Sequence, residues 1–99
     1  MTRYAGIRER AAQLLERDGW CQSARQGQRR CLVVAIFEAQ ESFDAEARAA
    51  EEIEETIEIE LGLKPKFSLA DWNDAPTRTL PQVLAALRGQ PIPQPEEQR

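Results

Sequence analysis

The densest run of chemically versatile side chains is Trp72-Asn73-Asp74, followed within five residues by Arg78 and Thr79. As a polar recognition surface, Trp72 would anchor, Arg78 would supply a planar donor fork and Asp74 its carboxylate partner. The same residues also suit local duties: Trp72 in a core, Asn73 and Asp74 in an Asx-type turn, Thr79 as a helix cap. The structural reading is the favoured one. A second group, Arg25, Arg29 and Arg30, lies in a polar stretch and would hold phosphates weakly and with strong salt dependence. No aromatic is interleaved for base stacking and the chain carries a net charge of −4, so nucleic acid is not the expected partner. The third group is a run of glutamates that includes Glu51, Glu55 and Glu58. These read as a solvated face, as a surface for a basic protein, or as a nucleic-acid mimic. They lack the interleaved ligands and glycine of a calcium loop, so no metal is expected.

What is missing bounds the chemistry further. The 99 residues contain no histidine, which removes Ser-His and Cys-His nucleophile activation. Cys21 and Cys31 alone cannot make a closed zinc site, which needs four N or S ligands. They read as two small hydrophobes near a loop, with a local disulfide as the alternative. Neither catalytic residues nor a cofactor are expected. At 41% hydrophobic and 30% charged, the chain has enough apolar sequence for one thin-cored domain, placed at 1–89, ahead of a Pro-rich flexible tail at 90–99. No apolar run is long enough to span a bilayer, and MTRYAGIRER does not read as a secretory signal. A cytoplasmic location and no membrane partner are the resulting expectations.

The elements that must position these groups follow from periodicity. Tyr4, Ile7, Ala11, Leu14 and Leu15 predict a helix over 4–18, capped by Thr2 and stopped by Gly19, with Arg8 among the residues of the polar face. Trp20 is placed to fold back as a lid. Residues 21–30 have no periodicity and read as a loop. Residues 31–40 suit a buried strand or a buried helix, and the helix is favoured over about 30–41 because no second strand of comparable quality exists to pair with it. Ser42 to Gly62 predicts an acidic helix with Phe43, Ala47, Ala50, Ile53, Ile57 and Leu61 on its apolar face. Between Glu41 and Gly62, nine acidic residues and one basic give −8, against +3 for 1–40 and +1 for 63–99. Ile57 and Ile59 lie about 200° apart on a helix, so one of them belongs outside the core. Ser68 with Asp71 predicts a capped single turn, and Thr79 with Gln82 a capped last helix stopped by Gly89. The fold class is all-α, a small bundle of three to four helices with one longer loop.

Gly19-Trp20 with Gln22, then Cys31 and Ala35-Ile36, then Trp72-Asn73-Asp74 with Pro76, Arg78 and Thr79 form a combined pattern. It resembles an uncharacterised family of small actinomycete and actinophage proteins, a domain of unknown function. The likeness spans most of 4–88 and implies a fold plan and a bacterial or phage origin, with no activity to transfer.

The functional expectation is a small non-enzymatic accessory domain that binds another protein, with a homodimer as a further partner expectation. The competing class is nucleic-acid-directed: mimicry through the helix at 42–62, or weak binding through Arg25, Arg29 and Arg30.

Overall fold

A computed structural model describes residues 4–23, 25–43, 48–63 and 67–94, without the side chain of Arg25. The elements are α1 (Ala5–Asp18), β1 (Arg25–Gln26), β2 (Arg29–Arg30), α2 (Leu32–Glu41), α3 (Ala49–Leu61), α4 (Leu69–Asn73) and α5 (Leu80–Arg88). The chain is a small all-α fold. The single turn α4 stands as a fifth helix, one beyond the upper expectation. Ile7, Ala11, Leu15, Leu32, Ile36, Ile53, Ile57, Leu69, Val83 and Leu87 fill the centre. A packed cluster of this kind, rather than helix propensity, holds helices this short together.

Residues 31–40 resolve as helix. Cys31 is the N-cap of α2, and its Sγ accepts from the Val34 N–H at 3.4 Å. The buried face is Leu32, Ala35, Ile36 and Ala39. The polar stretch before it is not wholly loop: Arg25 pairs with Arg30 and Gln26 with Arg29 in a two-residue antiparallel hairpin turned at Gly27. So short a ladder carries no hydrophobic alternation, which is why periodicity missed it.

The acidic helix starts later than its sequence predicts. Ser42 closes α2 as its C-cap, and α3 begins at Ala49 after Arg48. The first turn of α3 is capped from outside the helix, since Gln40 Oε1 accepts from the Ala50 N–H at 2.9 Å. Phe43 therefore falls outside the helix and is exposed, while Ala47 lies outside the described residues. Gly62 ends α3 in the left-handed region at φ 69°, and the Leu63 N–H reaches back to the Glu58 carbonyl at 3.0 Å.

Both capping boxes form, at Ser68 with Asp71 and at Thr79 with Gln82. Thr2 lies outside the described residues, and α1 opens instead at Tyr4, with φ 62° and no side-chain cap. The stretch after Gly89 is held at its start: Gln82 Nε2 donates to the Pro93 carbonyl at 2.9 Å and Ile92 packs against the core. Residues 95–99 lie outside the described residues.

Candidate functional site

The Trp72-Asn73-Asp74 cluster is built into the fold. Asn73 is fully buried, and its Oδ1 accepts from Trp20 Nε1–H at 2.7 Å and from the Leu32 N–H at 3.1 Å. Its Nδ2 donates to the Cys21 carbonyl at 3.3 Å and to Asp74 Oδ1 at 2.9 Å. One amide thus joins the segment after α1, the first turn of α2 and the end of α4. Asp74 Oδ1 also accepts from the Ser23 N–H at 2.8 Å, and Gln22 Nε2 donates to the Asn73 and Ala75 carbonyls at 3.2 and 2.7 Å. Trp72 is buried, with the Arg78 guanidinium 3.8 Å from its ring centroid. Arg78 Nε donates to the Trp72 carbonyl at 2.8 Å and Nη1 to Gln82 Oε1 at 3.3 Å. Its partner is therefore a ring and two neutral oxygens, not Asp74. Burial lowers the pKa of this cation.

The arginine cluster is divided. Arg30 Nη1 donates to Asp18 and Nε to Glu38, both at 2.7 Å, so that guanidinium is neutralised within the fold. Arg29 is exposed and lies against Gly19, where a Cβ would meet its Cγ at 3.0 Å. With φ at 100°, the backbone there favours glycine, and a side chain would also have to displace Arg29. Arg25's side chain lies outside the described residues.

Two further arginines staple the helices. Arg8, assigned by its charge to the polar face of α1, is 2% exposed. Its Nε and Nη2 donate to the Leu87 and Ala86 carbonyls at 2.7 and 2.8 Å, and its Nη groups grip both oxygens of Glu60 at 2.8 and 3.2 Å. A cation at the C-terminal carbonyls of α5 complements that helix's dipole. The signal was present: Arg8, Ala12 and Leu15 share a helix face, and the last two are buried. Arg88 makes a bidentate pair with Glu9, both bonds at 3.0 Å, and reaches Glu16 at 3.0 and 3.3 Å. These bonds raise the pKa of Arg88 and lower that of Glu9.

The acidic helix remains, and its carboxylates divide by exposure. Glu58 Oε2 accepts from the Leu69 N–H at 2.8 Å and so caps α4, and Glu60 is held by Arg8. Arg48, Glu51, Glu55 and Ile59, spaced by three, four and four, form an exposed stripe opposite the buried Ala49, Ala50, Ile53 and Ile57. Among the described residues, Glu51 meets only Arg48, at 3.4 Å in an exposed pair worth little. Glu55 has no ion pair among the described residues. Ile59 is 80% exposed, whereas Ile57 is fully buried, so the expected division between them holds. Glu54, half-buried beside the stripe, has a raised pKa, first from burial and then from repulsion by Glu58, Glu51 and Glu55. Among the described residues, Arg48 is the one cation paired with a carboxylate of this stripe.

No group of three or more metal-ligating side chains occurs among the described residues. Two open surface grooves, about 390 and 430 Å³, flank the Arg8–Glu60 pair, and neither is lined by Asp71 or Asp74. No described helix is long and apolar enough to cross a membrane. The model of a family of unknown function, DUF6197, matches residues 1–89. No curated protein and no solved structure matches the chain.

Proposed function

The chain belongs to DUF6197, a family of unknown function, and we propose that it is a small non-enzymatic accessory domain that binds a cationic protein through the outer face of α3. The observation that carries this reading is Ile59, 80% exposed at the end of a stripe that contains Glu51 and Glu55. A large aliphatic side chain among carboxylates offers a contact that water does not reward, and the carboxylates steer a partner of opposite charge toward it. The raised pKa of Glu54 supports the same reading: burial raises it first, and a cation on this face would relieve the repulsion that Glu58, Glu51 and Glu55 add.

A second copy of this chain suits the surface poorly. A two-fold contact sets a patch against itself, so Glu51 and Glu55 would face their own counterparts. The reading includes a cytoplasmic location and an actinobacterial or phage-borne gene, for which eleven arginines against two lysines is a compositional support.

The test is capture from host extract with the wild type, Ile59→Asp and Glu55→Lys in parallel. A protein retained by the wild type, lost with either variant and released by moderate salt is the expected result. Equal retention by all three would place the contact elsewhere.

A further inference from the structure

Cys21 and Cys31 come from opposite ends of the hairpin segment, and the fold brings their backbones together. Trp20 and Arg30 form a parallel bridge, and the cysteines are the residues immediately after each. The Arg30 N–H donates to the Gly19 carbonyl at 3.2 Å, and the Cys21 N–H donates to the Arg30 carbonyl at 3.0 Å. That last carbonyl belongs to the peptide that leads into Cys31. The bridged pair, Trp20 and Arg30, stands roughly 5 Å apart in such a ladder, and the cysteines one residue on start from that spacing toward the window of about 4.4–6.8 Å between Cα atoms that a disulfide requires. Asn73 bridges the same two segments, through the Cys21 carbonyl and the Leu32 N–H. Both side chains are thiols, 6% and 5% exposed, and are not joined.

We propose that Cys21 and Cys31 are a modification site: a thiol pair that closes to an intramolecular disulfide in the folded chain when a small-molecule disulfide oxidises it. One thiolate attacks the reagent's S–S bond and releases one reagent thiol. The second attacks the mixed disulfide and releases the other, so two protons leave the pair and two electrons pass to the reagent. Burial raises the pKa of Cys21, Cys31 and Asp74 add to the rise, and Arg29 and a bond from Gln26 oppose it. Cys21 is therefore slow to react at rest, and the pair stays reduced in a reducing compartment.

The test treats the native full-length chain with oxidised glutathione and reads intact mass and size. The expected product is a monomer lighter by two hydrogens, with no thiol left to alkylate and a higher thermal midpoint. Cys21→Ser and Cys31→Ser should instead stop at a glutathione adduct on the remaining thiol. Persistent double adducts on the wild type would overturn the proposal. So would a disulfide-linked dimer, or a native chain that stays reduced while the same chain oxidises in denaturant.

Discussion

At the scale of single residues, Asn73 has the most to lose. Truncation to Ala leaves the Trp20 Nε1–H and the buried Leu32 N–H without their acceptor. Each stranded donor costs about 1–3 kcal/mol, so Asn73→Ala should lower unfolding stability by roughly 2–5 kcal/mol in a urea titration, against a total of about 5–15 kcal/mol for a domain. A loss well under 1 kcal/mol would mean that water replaces the amide and that the cluster is no clasp. Arg8→Met removes two bonds to α5 carbonyls and the partner of a partly exposed Glu60. The expected loss is about 2 kcal/mol in the same assay. Neither role was legible in the sequence beyond the periodicity of Arg8. The Asn73 partners lie 41 to 53 residues away, and no local pattern encodes contacts at that separation.

At the scale of elements, local rules were readable and boundaries between competing caps were not. Ser68, Thr79, Gly62 and Gly89 each act within one turn, so the sequence states their function outright. Ser42 reads two ways, because a serine ahead of an acidic run suits an N-cap as well as the end of the preceding helix, and the cap from Gln40 is tertiary. The charge on α3 sets a pH dependence whose sign follows from Glu54. Its folded pKa lies above the ordinary 4.5, so its contribution is fully present below that value and is lost as pH climbs through the raised one. Glu54→Gln should therefore be more stable than the wild type at neutral pH, by a few tenths of a kcal/mol for each like-charge neighbour relieved. The gap should vanish below pH 4.5, and thermal midpoints at the two ends of that range check it. A variant that loses stability at neutral pH would mean that the carboxylate is satisfied in a way this account omits.

At the scale of the whole molecule, charge is sorted by use. Arg8, Arg30 and Arg88 are spent inside the bundle on Glu60, Asp18, Glu38, Glu9 and Glu16, and among the described residues only Arg48 pairs with a carboxylate of the outer stripe of α3. Asp18 and Glu9 have lowered pKa values through their arginine partners, so their stabilisation is present above their ordinary values of 3.8 and 4.5 and is lost below them. Acid unfolding should begin there and oppose the gain from Glu54. Ile59→Asp lies outside the core and adds an acid to the last turn of α3, four residues from Glu55, so it should lose no more than about 1.5 kcal/mol, which separates a binding defect from a folding defect. The acidic concentration was visible in composition. Which carboxylates stay unclaimed was not, because that depends on where arginines from other helices end. The most direct measurement is chemical-shift mapping of the labelled chain titrated with the captured partner. Shifts centred on Arg48, Glu51, Glu55 and Ile59, with Glu54 moving toward its ordinary pKa, are the predicted result. Shifts centred on Trp72, Asp74 and Arg78 would contradict the account.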